Sequence, residues 1–241
     1  MKRDGQKIVG VVVYDYQLAQ IVDRAGVDIV SVGDSVGVNL WGQESEGDVT
    51  VDEMLLACKA VRRGVTRAIV SCDIPSSTTD LVSAARRLVG EGGADMVKVE
   101  ASAGAIRTIV DAGIAVWAQI RGKGEGGREK RGGRHDVDST DLLVAEARAL
   151  ADAGASLIDF RHSGPIAGAA VVAAVSIPVI GGLGGGPWLD GRIRAIPNAI
   201  GYTVAALDDQ ADRYANIAEV ALEAIGSYAD DVRAGRQIRG K

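Results

Sequence analysis

Short apolar runs alternate with amphipathic stretches along most of the chain. Four runs share one pattern, in which a glycine at the end of a predicted helix precedes one or two small or polar residues and then a β-branched apolar run. Glycine adopts the left-handed conformation of a helix C-terminus at little cost. Runs that are apolar on both faces are typical of parallel strands covered on both sides. The four runs are 24–34, 91–100, 111–120 and 152–162.

Three further runs and one weaker candidate continue the alternation. The segments between the runs carry apolar residues at i, i+3 and i+4, which is typical of helices that bury one face. Two of these segments, 79–93 and 140–154, begin with Thr-Asp, a plausible N-cap. The added runs are 7–13, 67–74 and 177–183, with the weaker candidate in 192–200.

Seven or eight strands that alternate with helices predict a (β/α)8 TIM barrel. We expect a single barrel domain over residues 1–241, with a C-terminal helical segment at about 205–235. A doubly wound open sheet is the alternative, but no G-x-G-x-x-G motif follows the first run.

Polar and charged residues stand at the ends of six consecutive predicted strands. Because TIM barrels carry their chemistry at the C-terminal ends of the strands, these side chains are expected to converge on one mouth. In strand order they are Tyr14 and Asp15, Asp34 and Ser35, Asp73, Lys98 and Glu100, Gln119 and Arg121, and finally Asp159, Arg161 and His162.

Three of these residues, Asp34, Asp73 and Glu100, are carboxylates on different strand ends. Their mutual repulsion would raise their pKa values unless a cation lay between them. Mg²⁺, or another hard divalent ion, prefers such oxygen ligands. Lys98 shares a strand face with Glu100, and a cation beside a metal suits a 2-oxo acid whose enolate the metal stabilises. The alternative is that the three carboxylates only cap the helices that follow.

Composition narrows the functional classes. The net charge of −5 argues against a nucleic-acid partner. The two cysteines, Cys58 and Cys72, show no metal-binding spacing and favour a reducing, cytoplasmic setting. The first ten residues do not form a signal peptide. No apolar stretch has the length of about 18 residues that a membrane span requires, so no membrane partner is expected.

Two glycine-rich segments allow two interpretations each. Residues 181–187 (GGLGGGP) either let backbone approach a ligand or phosphate, or form a tight turn. Residues 121–135 are rich in glycine and charge. They predict either a basic lid over an anionic substrate or a solvated surface loop.

Four stretches together resemble ketopantoate hydroxymethyltransferase, a family of metal-dependent barrels in the phosphoenolpyruvate mutase/isocitrate lyase superfamily. These stretches are 11–42, 50–64, 93–101 and 176–192. The resemblance implies hydroxymethyl transfer from methylene-tetrahydrofolate to 2-oxoisovalerate. It also implies Mg²⁺ bound through Asp34, Asp73 and Glu100, contacts from Ser35 and Lys98 to the 2-oxo acid, and a homo-oligomer.

The chain departs from the family at two positions. Gln119 stands where the family has a histidine. Counting without gaps from Gly154 and back from Pro178 places Arg161 where the family has its catalytic glutamate. A guanidinium cannot accept a proton near neutral pH. Either Asp159 or His162 then transfers the proton in a working hydroxymethyltransferase, or the reaction has changed and Arg161 binds a second carboxylate or phosphate.

We favour the second interpretation, a divalent-metal-dependent enzyme that makes or breaks a C–C bond next to a 2-oxo acid. The sequence is also compatible with a non-catalytic ligand-binding paralogue or with a phosphate-binding barrel without metal. The predicted catalytic residues are Lys98, Asp159, Arg161 and His162, and the predicted substrate-binding residues are Tyr14, Ser35, Lys98, Gln119 and Arg161.

Overall fold

The computed structural model describes residues 1–120, 140–182 and 185–240 and contains a closed, parallel barrel of eight strands in sequence order. This confirms the predicted TIM barrel and excludes the open sheet. The strands are β1 (Ile8–Val12), β2 (Ile29–Val32), β3 (Ile69–Asp73), β4 (Met96–Val99), β5 (Val116–Gln119), β6 (Leu157–Asp159), β7 (Val179–Gly181) and β8 (Gly191–Ala195).

Helices follow most of the strands along the chain. The weak eighth candidate proves to be a strand only in its first part, because α7 begins at Ile196 with Pro197 in its first turn. The helices are α1 (Tyr16–Arg24), α2 (Val51–Gly64), α3 (Leu81–Gly90), α4 (Ala103–Asp111), α5 (Thr140–Asp152), α6 (Pro165–Ala174), α7 (Ile196–Ala199) and α8 (Ile217–Arg233).

The core inside the barrel is built mainly from aliphatic side chains around one tryptophan, Trp117. Glycine permits a close approach between the neighbouring strands β6 and β7, since a Cβ at Gly181 would lie 2.2 Å from the carbonyl oxygen of Phe160, which follows β6. A chain with few aromatic residues therefore fills its barrel with medium-sized side chains. The interior cluster is Ile8, Ile29, Met96, Trp117, Leu157 and Ile180.

The chain divides into two compact units, residues 1–194 and 195–241. The second unit contains α7, a short 3-10 helix (Val204–Leu207) and α8. The predicted helical segment at about 205–235 contains the end of the 3-10 helix and the whole of α8, with a non-helical stretch between them. The Asp209 carboxylate accepts the backbone N–H of Ala211 in a turn, and Asn216 caps the first residues of α8.

No helix in the described residues is long and apolar enough to cross a membrane. The homo-oligomer stays a prediction.

Asp23 ties α1 to the segment that leads into β3. Its carboxylate is 5% exposed and accepts the backbone N–H groups of Thr66, Arg67 and Ala68 at 3.0 to 3.1 Å, with the Thr66 hydroxyl at 2.8 Å. Burial opposes its charge, but these hydrogen bonds outweigh burial and hold the pKa of Asp23 far below its usual range. The ionised carboxylate is therefore a structural element of the barrel wall.

Replacing Asp23 by alanine is expected to lower the free energy of unfolding by about 3 kcal/mol at pH 7, because three backbone N–H groups, that of Ala68 buried and the other two partly buried, lose a charged acceptor. A depressed pKa stabilises the fold above the unfolded-chain value of about 4, and this contribution is lost as pH falls below that value. Urea unfolding at pH 7 and pH 3 should show the gap to wild type shrinking at pH 3. The exposed Asp111→Ala variant serves as control, and a gap independent of pH would contradict this role.

Candidate active site

A cavity of about 720 Å³ opens at the C-terminal ends of the strands. The β-sheet register sets its side chains beside one another, with Asp73 on β3 level with Lys98 on β4, and Gln119 on β5 level with Asp159 on β6. Six of the residues predicted from strand ends line this cavity. They are Asp34, Asp73, Lys98, Glu100, Gln119 and Arg161.

Lys98 is the central buried cation of the cavity. It is 7% exposed, its Nζ lies 3.5 Å from Asp73 Oδ2 and 3.2 Å from Asp159 Oδ2, and it stands 5.4 Å from the centre of the Trp117 ring. Burial opposes its charge, but the two carboxylates outweigh burial and raise the pKa of Lys98. Lys98 is therefore a fixed positive charge at neutral pH, suited to holding an anionic group.

Asp34 and Asp73 lie on neighbouring strand ends, and both have raised pKa values. Burial raises the pKa of Asp73 to about 6 in spite of Lys98, and the negative charge of Asp34 adds to this effect. Burial also raises the pKa of Asp34, with a further contribution from Glu46. The Ser31 hydroxyl donates to Asp73 Oδ1 at 3.3 Å. Because their surroundings destabilise the charged form of both carboxylates, a cation bound beside them would stabilise their ionised state.

The three predicted carboxylates do not cap the helices that follow them. The N-caps of α2, α3 and α4 are Thr50, Asp80 and Ser102, whose side chains accept the backbone N–H groups of the first turns. The capping interpretation holds instead for Asp15, which accepts the N–H groups of Gln17 and Leu18 at the start of α1. The cavity is therefore lined by carboxylates that do not cap these helices, namely Asp34, Asp73 and Glu100.

These oxygen donors suit a hard divalent ion. No group of three or more His, Cys, Asp or Glu side chains in the described residues is already arranged to hold a metal. Mg²⁺ commonly uses one or two carboxylates and keeps several waters, which matches the pair Asp34 and Asp73. Glu100 faces a different partner, because its Oε2 accepts the Gln119 side-chain amide at 3.2 Å. The oxygen donors present are compatible with such an ion, and Asp34 and Asp73 would be its principal ligands.

Asp159 joins the two cations of the site. It is 1% exposed, and its Oδ2 lies 3.2 Å from Lys98 Nζ and 3.4 Å from Arg161 Nε. Its Oδ1 is buried without a hydrogen-bond partner among residues 1–120, 140–182 and 185–240. Arg161 reaches into the cavity with 29% of its side chain exposed. Asp159 therefore holds both positive groups in place from below the cavity surface.

Tyr14 and Ser35 form a separate network next to Asp34. The Tyr14 hydroxyl lies 2.9 Å from Ser35 Oγ, and the Asn39 side-chain amide donates to Tyr14 Oη at 3.2 Å and to the Ser35 carbonyl at 2.9 Å. Burial raises the pKa of Tyr14. Neither Tyr14 nor Ser35 lines the cavity. The network is joined to the cavity by Asp34, which lines it and directly precedes Ser35 in the chain.

His162 does not share the cavity with Arg161. Its backbone has a φ of 52°, in the left-handed region, and its N–H donates to the Gly182 carbonyl at 3.4 Å. The residue is half-buried and is not among those lining the cavity. The backbone turn after β6 thus separates two residues that are adjacent in sequence.

Sequence reasoning missed one wall of the cavity. Ser45, Glu46 and Gly47 line it, as does Thr78. The first three belong to the short 3-10 helix Glu46–Asp48 and its N-cap, which Ser45 and Asp48 close with a reciprocal capping box. The Ser-x-x-Asp spacing at Ser45 and Asp48 is the sequence signal that could have predicted this short helix. The expected lid at 121–135 lies outside the described residues, as does part of the glycine-rich segment 181–187.

Nearly the whole chain is similar to one family of known enzymes. Residues 1–237 match a family model described as ketopantoate hydroxymethyltransferase. The 3-methyl-2-oxobutanoate hydroxymethyltransferase of Moorella thermoacetica is 35% identical over 98% of this chain and 91% of its own length. That of Geobacter sulfurreducens is 36% identical over 98% and 92%.

Among solved structures, 2,3-dimethylmalate lyase of the PEP mutase/isocitrate lyase superfamily is similar in fold. Its TM-score is 0.64 at 18% identity, with 86% of this chain and 83% of that chain covered. At this identity the likeness concerns the barrel alone.

Proposed function

Since the chain belongs to the ketopantoate hydroxymethyltransferase family, we propose that it is a divalent-metal-dependent enzyme acting on a 2-oxo acid through its enolate. It would form or break the C–C bond next to the ketone. The observation that carries the proposal is the buried Lys98, held by Asp73 and Asp159 in a cavity lined with carboxylates. A fixed cation beside oxygen donors suits a substrate that carries a carboxylate and a ketone.

Asp34 and Asp73 would hold the divalent ion, with Glu100 nearby. The bound ion would polarise the ketone and stabilise the negative charge of the enolate. Lys98 supplies a second positive charge from within the protein and orients the anionic substrate. Because its pKa is raised, Lys98 keeps that charge and does not serve as the base.

Asp159 is the better candidate for proton transfer. It is buried within the charged cluster and retains one carboxylate oxygen that has no hydrogen-bond partner in the described chain. Neither Asp159 nor His162 is among the residues that line the cavity, but Asp159 contacts Lys98 and Arg161, which do line it. Gln119 donates its amide to Glu100 and positions that carboxylate.

We further propose that the reaction differs from hydroxymethyl transfer. Arg161 lies in the cavity at the position where the resemblance places the family's catalytic glutamate. Hydroxymethyl transfer to 3-methyl-2-oxobutanoate is the second candidate function, favoured by relatives of that name at 35% and 36% identity over nearly the whole chain. A folate cofactor belongs only to that second candidate.

Enolisation itself tests the proposal without knowledge of the second substrate. Purified protein in D₂O with Mg²⁺ is expected to exchange the C3 protons of 2-oxo acids, as followed by NMR. EDTA should abolish the exchange and added Mg²⁺ should restore it. Asp34→Asn is expected to reduce the exchange rate about 100-fold, whereas the exposed Asp111→Asn leaves it unchanged.

Two outcomes would decide against parts of the proposal. Absence of Mg²⁺-dependent exchange across a panel of 2-oxo acids would refute enolate chemistry. Rapid ketopantoate formation from 3-methyl-2-oxobutanoate and methylene-tetrahydrofolate would refute the changed reaction and establish the second candidate.

A further inference from the structure

Arg161 presents hydrogen-bond donors to the cavity. Its Nε contacts Asp159 Oδ2 at 3.4 Å, and its side chain is 29% exposed on the cavity surface. Within residues 1–120, 140–182 and 185–240, its terminal nitrogens make no hydrogen bond or ion pair. A guanidinium offers paired N–H groups whose geometry matches a carboxylate bidentately.

Arg161 and Lys98 share one anchor. Both cations contact the same oxygen of Asp159, Oδ2, which places two positive groups side by side at the cavity. One carboxylate offsets one of these charges, and Lys98 has a second partner in Asp73. Of the two cations, Arg161 is therefore the one whose charge remains available to a ligand.

Arg161 adds a positive charge to a cavity that also contains the carboxylates Asp34, Asp73 and Glu100. A substrate with an additional carboxylate suits this charge, because the guanidinium offsets the repulsion from those three side chains. A phosphonate dianion would bring more negative charge among these carboxylates than a carboxylate does, which favours the carboxylate.

We propose that Arg161 binds a second carboxylate of the substrate, so that this protein acts on a 2-oxo dicarboxylic acid. The inference rests on the proposed 2-oxo acid chemistry and names its substrate class. Asp159 then also positions the guanidinium, in addition to its proposed part in proton transfer, and Arg161 determines substrate specificity.

Calorimetry with matched ligands tests the assignment. In the presence of Mg²⁺, oxaloacetate is compared with 2-oxobutanoate, and 2-oxoglutarate with 2-oxopentanoate. Each dicarboxylate is expected to bind the wild-type protein at least about 10-fold more tightly than its partner, as a charged hydrogen-bonded pair would give. Arg161→Met should remove this preference by weakening the binding of the dicarboxylates. Arg161→Lys should retain part of the preference.

The exposed Arg86→Met variant, on α3, is the matched control and should keep the full preference. Equal affinity of the two classes for wild-type protein would overturn the inference, and so would a preference that survives in Arg161→Met. Tighter binding of 3-phosphonopyruvate than of oxaloacetate would overturn the carboxylate assignment.

The outcomes also separate this inference from the proposed function. Mg²⁺-dependent binding of monocarboxylates without any dicarboxylate preference refutes only the role of Arg161. Failure of every 2-oxo acid to bind refutes the proposed function as well. The comparison of dicarboxylates with monocarboxylates on the wild-type protein needs no variant. It therefore tests the dicarboxylate preference even if Arg161→Met does not fold.

Discussion

Replacing Lys98 by methionine is expected to reduce turnover about 1,000-fold and to lower the free energy of unfolding by about 3 kcal/mol. The substitution keeps most of the side-chain volume, so the effect comes from the charge. Without Lys98, Asp73 loses its cation and Asp159 retains only Arg161, and both carboxylates are nearly fully buried. Urea unfolding measures the stability, and Mg²⁺-dependent proton exchange at a temperature below the unfolding midpoint measures the activity.

A double-mutant cycle separates the charge from the packing. Asp159→Asn in the Lys98→Met background is expected to recover part of the lost stability, because it removes a buried charge that has lost one of its two cations. Lys59→Met, on the half-buried part of α2, is the matched control and should change neither quantity. Strictly additive losses from Lys98→Met and Asp159→Asn would show that the ion pair is energetically irrelevant.

Asp73→Asn is expected to lose about 100-fold or more of metal-supported turnover without losing stability at neutral pH. Burial raises the pKa of Asp73 to about 6, above its unfolded value near 4. Between these values the folded state binds more protons than the unfolded state, so this group makes wild-type stability fall as pH rises. The asparagine amide of the variant does not ionise, so it causes no such loss of stability with rising pH, although it weakens the pairing with Lys98.

Thermal unfolding in EDTA measures this effect across pH 4 to 8. The difference between Asp73→Asn and wild type is expected to move in favour of the variant as pH rises from about 4 to 6, and then to level off. Asp111→Asn supplies the control, since this exposed residue should show no such trend. A difference that moved in favour of wild type over the same range would mean that the Lys98 pairing outweighs the burial of Asp73.

The order and position of the strands could be read from the chain alone. The repeated glycine followed by an apolar run marks where a helix ends and a buried strand begins, and both features are local in sequence. The C-terminal segment was less accurate. The turn at Asp209 and the cap at Asn216 depend on side-chain hydrogen bonds that override helical propensity until Ile217.

Sequence by itself determined the barrel and the set of polar strand ends, because periodicity and strand-end chemistry depend on neighbours along the chain. Only the tertiary structure decided how those ends are paired. Barrel closure and strand register bring Lys98 and Arg161 to one oxygen of Asp159 and direct Glu100 to Gln119. The turn after β6 leaves His162 outside the cavity, while a short helix supplies Glu46 to it. Most of these contacts join residues far apart in sequence, and no local pattern specifies them.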